Sequence, residues 1–534
     1  MGDSVQDNIA VRGAYNAVSD FVDANVARGL GKKVAFADPN RSLTYADLQA
    51  RSIRFARALR SLGLQQEDRI ALLMHDTVDY PVAFWGALRA GIIAIPLNTY
   101  LPVAQYNYIL TDSRASVLVA AASLAQSIWP IITRLPYLKT VILVDAAREA
   151  SFAGRDVHEF EDLLAKSSAE PFTADTVSDE VAFWLYTSGS TGNPKGVKHI
   201  HSSLMATAKL FGQGVLGIRE DDVVYSASKL FFAYGLGNAM TFPLSVGATA
   251  ALWPHRPSPE GVFEIMRRHR PTIFYGVPSL YTALLAHREI CRGAGSDRLR
   301  VCVSAGEALP APIGERWRET VGVDVLDGLG STELLQTFLS NRPGDIRYGS
   351  TGKPVPGYEA RIIDEAGRDL GSDEIGELII RGPSAGEGYW NQRARSRRTF
   401  VGEWTHTGDK YRRDKDGYYY YCGRTDDMFK VSGMWVSPFD VEAALVSHEA
   451  VLEAAVIGKE DADGLVKPKA FIVLKDGFVA DDNLVETLKS HVKQQAGAWK
   501  FPRWIETRDT LPRTATGKIQ RFILRDEDLR AEGG

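Results

Sequence analysis

The residues best suited to chemistry form a loop rich in glycine and hydroxyl side chains, directly after the apolar stretch VAFWLY. Its members are Thr187, Ser188, Gly189, Ser190, Thr191, Gly192 and Lys195. Backbone N–H groups and hydroxyls in such a loop can surround phosphate oxygens, and the lysine adds a point charge. Glycine follows Lys195, so the loop lacks the hydroxyl that holds Mg²⁺ in Walker-type loops. The pattern predicts a phosphate loop of another class, with a flexible surface loop as the alternative.

Four further motifs with charged or hydroxyl side chains follow. One contains Thr332 and Glu333, and the next, Thr-Gly-Asp, ends on Asp409. A third contains Arg424, and a glycine-containing loop near the end of the sequence carries Lys518. Each motif alone is compatible with a structural role, such as a capping carboxylate, a common turn or a surface charge cluster. Five of them between residues 187 and 518 argue against that interpretation for the whole set.

In their order and in their amino-acid sequences, these motifs resemble those of the acyl-adenylate-forming superfamily. Its members include acyl-CoA synthetases, peptide-synthetase adenylation domains and firefly luciferase. The resemblance spans essentially the whole chain and implies ATP, Mg²⁺ and coenzyme A as cofactors. It implies that Thr332 meets the α-phosphate and that Glu333 holds Mg²⁺. It also implies that Asp409 and Arg424 bind the ribose and that Lys518 is the catalytic lysine. Cations suit this chemistry, because a carboxylate must attack an anionic phosphate.

The elements that must position these groups fall into two predicted domains. From residue 43 to about 380, helical stretches alternate with short β-rich runs, which predicts parallel sheets covered by helices. After about residue 385 the pattern becomes shorter and mixed. We therefore predict an α/β fold with a large ATP- and acid-binding domain, residues 1–424, and a smaller, mobile α+β domain, residues 428–534. Residues 425–427 form the predicted hinge.

The resemblance gives this division a function. Asp426 matches the hinge aspartate about which the small domain swings between the adenylation and thioester steps. Ser432 and Gly433 match the stretch that lines the pantetheine tunnel, where a missing side chain lets the thiol approach. Lys518 lies in the predicted small domain and the phosphate loop in the large one. The adenylating site is therefore complete only when the two domains meet.

Segments that flank the nucleotide should build the acid pocket. The predicted nucleotide-side residues are Gly306, Glu307, Asp327 and Gly328, and the predicted pocket lining is Phe232, Ala233, Tyr234, Gly235, Ala305, Leu329, Gly330, Leu334, Leu335 and Gln336. Aromatic and aliphatic groups with small residues between them favour a flat slot. The segment around Phe232 lacks the carboxylate that an amino-acid adenylation domain needs. The sequence does not exclude a tunnel for a long fatty acid.

The amino-acid sequence of this region resembles those of benzoate-CoA ligases and hydroxybenzoate-CoA ligases in particular. The expected activity is ligation of benzoate, or of a hydroxy- or aminobenzoate, to coenzyme A through an acyl-AMP, with release of AMP and pyrophosphate. Gln336 and Thr337 stand where benzoate enzymes commonly have His and Ile, and they either accept a polar ring substituent or are a neutral replacement. The alternative functions are ligation of a medium-chain or other acid, luciferase-like oxygenation and loading of a carrier protein.

Composition argues against several other classes. The chain has 534 residues, 45% of them apolar, and a net charge of -4, so it has material for several cores and no broad basic surface for nucleic acid or anionic lipid. No run is long and apolar enough to cross a membrane, and we expect a cytoplasmic protein. Cys291, Cys302 and Cys422 are predicted to be buried, reduced thiols.

Two further partners are expected only in outline. Pro512 to Lys518 reads P-x-x-x-x-G-K and resembles a sequence that protein acyltransferases acetylate in acyl-CoA synthetases. The alternative is that Pro and Gly merely shape the loop that holds Lys518. A second copy of the chain, in a homodimer, is the other candidate partner.

Overall fold

The predicted alternation of helices and strands is present in the structure, a computed structural model that describes residues 14–145, 155–189, 192–425, 427–431, 434–462, 464–497, 499–513 and 519–532. The first long helix, Tyr45–Ser61, precedes a strand at Arg69–Leu73, and the next, Asp79–Arg89, precedes a strand at Ile93–Pro96. The first of these helices begins at a capping box between Thr44 and Asp47.

The largest sheet has nine strands. They are β1 (Val34–Ala37), β2 (Ser42–Thr44), β10 (Val223–Ser226), β11 (Thr249–Ala251), β12 (Ile273–Gly276), β13 (Val301–Ser304), β14 (Val325–Gly330), β15 (Thr337–Ser340) and β16 (Lys353–Pro354). Their order is β16-β15-β14-β13-β12-β10-β11-β1-β2. The pairs from β14 to β1 are parallel, and antiparallel strands stand at both edges.

A second sheet has seven strands. They are β3 (Arg69–Leu73), β4 (Ile93–Pro96), β5 (Val117–Ala121), β6 (Thr140–Val144), β7 (Asp156–Glu159), β8 (Val181–Gly189) and β9 (Gly192–Ile200), in the order β7-β6-β5-β3-β4-β8-β9. Every residue of β4, β5 and β6 is buried, as expected for parallel strands covered on both faces. β8 and β9 form an antiparallel pair at one edge.

Three smaller sheets complete the description. An antiparallel sheet contains β17 (Glu359–Ile363), β18 (Gly376–Arg381), β19 (Phe400–Val401), β20 (Trp404–Arg413) and β21 (Tyr419–Arg424). After it come the pair β22 (Phe429–Val431) and β23 (Met434–Val436), and the sheet of β24 (Val451–Glu460), β25 (Val466–Leu474) and β26 (Trp504–Thr507).

The helices lie between the strands in sequence. They are α1 (Tyr45–Ser61), α2 (Asp79–Arg89), α3 (Val103–Ser113), α4 (Ala122–Ile132), α5 (Phe160–Lys166), α6 (His201–Thr207), α7 (Ala233–Leu236), α8 (Phe242–Val246), α9 (Pro259–His269), α10 (Pro278–Ala286), α11 (Ala311–Val321), α12 (Arg393–Thr399), α13 (Pro438–Val446), α14 (Asp482–Ala496) and α15 (Arg521–Glu532). Short π-helical turns occupy Ser19–Asp23, Val26–Leu30, Ala208–Gln213 and Gly237–Thr241, and a 3₁₀ turn occupies Arg292–Gly295.

The predicted α/β class, with a large sheet-containing part and a smaller C-terminal one, is confirmed. Hydrophobic clusters draw either on residues 15–421 or on residues 429–524. This division agrees with the boundary at 425–427, which itself stays a prediction. None of the described helices is long and apolar enough to span a bilayer.

One prediction about the cysteines is wrong. Cys302 and Cys422 are buried, but Cys291 is exposed. It lies in the connection between α10 and β13, directly before the 3₁₀ turn, and therefore belongs to no sheet or helix.

Candidate active site

The predicted phosphate loop joins β8 to β9. Thr187 near the end of β8 pairs with Lys195 on β9, and Gly189 pairs with Gly192. β8 is held in the sheet by its parallel neighbour β4, so the hairpin rises from a buried strand. Ser188 lies between the paired positions of β8, whereas Ser190 and Thr191 lie outside the described residues.

Lys195, Glu333 and Tyr389 form a small polar cluster. The Lys195 ammonium lies 3.7 Å from the Glu333 carboxylate and 4.4 Å from the centre of the Tyr389 ring. It also donates to the Tyr389 hydroxyl at 3.2 Å, and that hydroxyl donates to Glu333 Oε1 at 2.7 Å. Burial lowers the pKa of Lys195, and the Glu333 charge opposes that effect. The cluster places a cation and a carboxylate beside the phosphate hairpin.

The backbone around Glu333 is held from two sides. Gly386 N–H donates to the Glu333 carbonyl at 2.8 Å, and His199 on β9 bonds the Thr332 carbonyl through Nε2 at 2.8 Å. Burial lowers the pKa of His199 to about 4, so the ring is neutral near pH 7. Leu335 has a φ of +66°, a sharp bend that turns the chain back toward β15. These contacts fix the backbone positions from which the Thr332 and Glu333 side chains project.

Asp409 and Arg424 face each other on β20 and β21. Arg424 Nη1 donates to Asp409 Oδ1 at 2.9 Å and to the Thr407 carbonyl at 3.2 Å. A Cβ on Gly408, whose φ is +70°, would lie 3.0 Å from Arg424 Nη2, so glycine lets the guanidinium lie close. The Asp409 charge raises the pKa of Arg424. The predicted ribose residues therefore form one charged pair.

The segments predicted to line the acid pocket come together at α7. Gln336 is buried directly before β15, and its amide donates to the carbonyls of Ala233 at 3.2 Å and Tyr234 at 3.1 Å. The Tyr234 hydroxyl donates to the Val303 carbonyl at 3.2 Å. A Cβ on Gly235 would stand 2.0 Å from the Lys229 carbonyl oxygen, so this turn requires glycine. Phe232 precedes α7, and Leu334 and Leu335 are buried beside Gln336.

The alternatives for Gln336 and Thr337 can now be compared. The Gln336 Oε1 accepts from the Thr337 backbone N–H at 2.9 Å and from its hydroxyl at 3.0 Å. Both hydrogen-bonding ends of the amide are thus engaged by protein groups. This pairing favours a neutral replacement over a polar group offered to a ring substituent.

The predicted nucleotide-side residues lie in two adjacent segments, one directly after β13 and the other in β14 from Asp327 onward. Ser304 at the end of β13 pairs with Asp327 on β14, so Ala305, Gly306 and Glu307 leave the sheet beside Asp327, Gly328, Leu329 and Gly330. Burial raises the pKa of Asp327 well above its usual range. Its Oδ1 has no hydrogen-bond partner within the described ranges, which suits a ligand that donates a hydrogen bond.

The predicted hinge residue Asp426 and three predicted residues of the small domain, Ser432, Gly433 and Lys518, lie outside the described residues. Arg513 and Ile519, which flank the segment carrying Lys518, pair in an antiparallel bridge. The Arg513 guanidinium lies 3.8 Å from Glu307 and 3.0 Å from Glu453. The start of the Lys518 segment is therefore beside a predicted nucleotide residue.

Tyr389 and His199 are site residues whose roles the sequence did not predict. Tyr389 stands in an ordinary Gly-Tyr-Trp stretch, and its role depends on a bridge between Val197 and Tyr389 that joins distant parts of the chain. The His199 ring stacks on Phe183 with centroids 5.2 Å apart. No three His, Cys, Asp or Glu side chains converge as a metal cage in the described part of the chain.

Comparison with known proteins gives consistent matches along the chain. Residues 23–390 match the model of the AMP-binding enzyme family, and residues 440–518 match the model of the AMP-binding enzyme C-terminal domain. A relative, the 4-hydroxybenzoate--CoA/benzoate--CoA ligase of Rhodopseudomonas palustris, is 52% identical over 516 residues, which cover 96% of this chain and 94% of that protein.

Solved structures of similar proteins match over the same length. A crystallised benzoate CoA ligase from Burkholderia xenovorans has a TM-score of 0.88 and 48% identity, and the match covers 96% of this chain and 100% of that one. An anthranilate CoA ligase in complex with anthranoyl-AMP has a TM-score of 0.91 and 40% identity, covering 98% of this chain and 99% of that one.

Proposed function

The chain belongs to the AMP-binding enzyme family, as its motifs predicted, and on that premise we propose that it ligates an aromatic carboxylic acid, benzoate or a close relative, to coenzyme A with ATP. The observation that carries the proposal is the continuity of two sites in one short stretch. Glu333 belongs to the charged cluster with Lys195, and the next residues, Leu334 to Gln336, adjoin the pocket helix α7. An acid bound against α7 would therefore lie next to a bound phosphate.

In the first step, a carboxylate oxygen of the acid attacks the α-phosphorus, an O–P bond forms and pyrophosphate leaves. Both reactants are anions, so positioning and charge neutralisation supply most of the catalysis. We assign Lys195 to the departing phosphates, Thr332 to the α-phosphate, and Lys518 to the charge that develops during attack. Asp409 and Arg424 hold the ribose in this proposal, as the family resemblance implies, and the Arg424 hydrogen bond to Asp409 Oδ1 keeps the two side chains together.

The residues present fit a Mg²⁺ ion that is coordinated partly by the protein and partly by the phosphate oxygens of a nucleotide. Glu333 offers a hard carboxylate oxygen, and the described residues do not build a protein cage around a metal. Mg²⁺ commonly takes one or two carboxylates together with waters and phosphate oxygens. When bound, it neutralises phosphate charge. The Tyr389 hydroxyl keeps Glu333 oriented through its hydrogen bond.

The acid pocket favours an apolar ring. Leu334 and Leu335 are buried, and the polar atoms of Gln336 are engaged by Ala233, Tyr234 and Thr337. An unsubstituted ring would leave no buried polar group of these residues without a partner. We therefore propose benzoate as the preferred acid, ahead of the hydroxybenzoates and 2-aminobenzoate.

In the second step, the thiolate of coenzyme A attacks the acyl carbon of the acyl-AMP, a thioester forms and AMP leaves. We propose that residues 428–534 turn about Asp426 between the steps and that Ser432 and Gly433 then line the thiol path. The last residue of the proposed hinge is well anchored: Asp427 accepts from Arg525 at 2.8 Å, and Arg521 lies 3.6 Å away. These contacts join the hinge to α15, so the small domain would move with it as one body.

Thioester formation with benzoate, the three hydroxybenzoates, 2-aminobenzoate and hexanoate, compared by kcat/KM, tests the proposal. We expect benzoate to give the highest value. Equal or higher kcat/KM with hexanoate would refute the aromatic pocket. AMP formation accompanied by O₂ uptake, or transfer only to a phosphopantetheinylated carrier protein, would instead favour the oxygenase or loading functions.

We also propose that acetylation of Lys518 by a protein acyltransferase would block only the first step, because it removes the ammonium charge. Acetylated protein should then fail with benzoate and ATP, yet convert synthetic benzoyl-AMP and coenzyme A into thioester. Equal loss of both half-reactions would contradict this role of Lys518.

A further inference from the structure

A buried carboxylate lies behind the acid pocket, outside the residues assigned to substrate or nucleotide. Asp76 follows β3, and its side chain is buried. The Leu230 backbone N–H donates to both of its oxygens, at 3.4 and 3.3 Å. Leu230 belongs to residues 229–235, which we call the pocket segment because they lead into α7. Asp76 therefore holds the start of the pocket segment.

The pocket segment begins with a buried cation. The Lys229 side chain is also buried, and its ammonium donates to the Trp253 carbonyl. Burial lowers the pKa of Lys229, and the negative charge of Asp76 opposes that effect. A buried ammonium is destabilised unless a negative charge lies within range, and the Asp76 charge acts on Lys229 in the stabilising direction.

The Asp76 charge acts on two buried tyrosine hydroxyls that have no other assigned role. Tyr80 and Tyr225 are fully buried, and their hydroxyls have no hydrogen-bond partner among the residues that the structure describes. The charge of Asp76 contributes to raising the pKa of both, so both lie within its electrostatic range. The Asp76 charge therefore acts on two buried tyrosines as well as on Lys229.

The geometry of the pocket segment connects Asp76 with the acid pocket. The Lys229 carbonyl accepts from the Phe232 N–H at 3.0 Å, and Gly235 lies so close to the same carbonyl that a Cβ would clash. A displacement of Lys229 or Leu230 would therefore move Phe232 and Gly235. At its other end the segment is held by Gln336, through Ala233 and Tyr234.

We infer that Asp76 is a positioning residue for the acid pocket. Together with Lys229 it holds the pocket segment in the position at which residues 232–235 can contact the aromatic acid. Asp76 itself touches neither substrate. The inference rests on the proposed function, because it assumes that residues 232–235 bind the acid. It predicts an effect on the acid that is separate from any effect on ATP.

The test compares Asp76→Asn with the double variant Asp76→Asn/Lys229→Gln and with Asp79→Asn as a matched control. Asp79 is another buried carboxylate in the same part of the chain, and its ion pairs are with Arg41 and Arg51, outside the pocket segment. For Asp76→Asn we expect the KM for benzoate to rise roughly tenfold to a hundredfold, because the buried Lys229 ammonium loses its counter-charge while the Asn oxygen can still accept from Leu230. The KM for ATP should stay within about twofold, because the nucleotide residues are untouched.

The double variant separates a charge effect from general damage. Removing both charges leaves no unpaired buried ion, so it should recover most of the lost affinity for benzoate, to within about threefold of the wild type. A purely structural defect would instead persist or grow in the double variant. Asp79→Asn should leave the benzoate KM unchanged, even if it lowers the melting temperature.

Three results would overturn the inference: an unchanged benzoate KM in Asp76→Asn, equal increases in the KM for benzoate and for ATP, or no recovery in the double variant. If Asp76→Asn does not fold, Asp76→Glu replaces it. Its longer side chain keeps the charge but displaces the Leu230 contact, and an unchanged benzoate KM would again overturn the inference. Failure of the proposed function is distinguishable, since the wild type would then form no benzoyl thioester at all.

Discussion

Replacing Gly235 with alanine should impair use of the acid and leave ATP binding intact. A Cβ at this position would lie 2.0 Å from the Lys229 carbonyl oxygen and 2.5 Å from the Ser228 carbonyl oxygen. Both are backbone atoms, so no side-chain rotation relieves the contact. Reaching an ordinary contact of 3.4 Å requires a shift of 3.4 − 2.0 = 1.4 Å within the turn that begins the pocket helix.

The size of the effect follows from that displacement. A misplacement of about 1 Å in a reacting site costs on the order of a hundredfold, equivalent to about 3 kcal/mol. We expect kcat/KM for benzoate in Gly235→Ala to fall by roughly that factor, while the KM for ATP changes by less than about threefold. Initial rates of thioester formation, with each substrate varied in turn, give both numbers.

A control variant shows whether alanine itself is the cause. Gly371 is exposed, and the atom nearest to a Cβ there is the flexible Glu374 carboxylate, 3.0 Å away. Gly371→Ala should therefore behave like the wild type. If Gly235→Ala keeps kcat/KM for benzoate within about threefold while it folds normally, the pocket does not lie against this turn and our reasoning is wrong.

The remaining predictions concern charge and protonation. Lys518→Ala should lower kcat for adenylation by about a hundredfold or more, because one stabiliser of transition-state charge is lost; normal pyrophosphate release would contradict the assignment. Asp409→Ala should weaken ATP binding by about tenfold or more in calorimetry, and an unchanged isotherm would exclude the ribose role. Burial lowers the pKa of His201 from 6.5 to about 4, so its contribution to stability is complete above pH 6.5 and is lost as pH falls to 4. Urea unfolding should show that wild type loses up to about 3 kcal/mol more than His201→Asn over that interval, and parallel curves would contradict the burial effect.

Much of the candidate site could be proposed from sequence because its groups belong to short local motifs. Lys195 follows its glycines directly, and Asp409 and Arg424 each stand in a turn-forming sequence. The sequence could not predict that Asp409 and Arg424 are ion-paired, since their pairing depends on the register of β20 against β21. The sequence did not predict the role of Tyr389 for the same reason, since its hydroxyl contacts Glu333 only because tertiary contacts join distant segments.

The fold class was predictable for a related physical reason. Alternating amphipathic helices and apolar strands specify parallel sheets locally, as the fully buried residues of β5 and β6 show. Side-chain partners in a buried polar environment are not specified in this way. Gln336 could have faced either the ring or the protein, and only the position of α7 decides that its amide bonds Ala233 and Tyr234.

The most direct test of the central claim is product analysis of the purified protein with benzoate, ATP, Mg²⁺ and coenzyme A. We predict equal amounts of AMP, pyrophosphate and benzoyl-CoA, with pyrophosphate release that continues in the absence of coenzyme A only until the enzyme is saturated with acyl-AMP. AMP and pyrophosphate without thioester, or ADP in place of AMP, would contradict an acyl-adenylate route to the thioester.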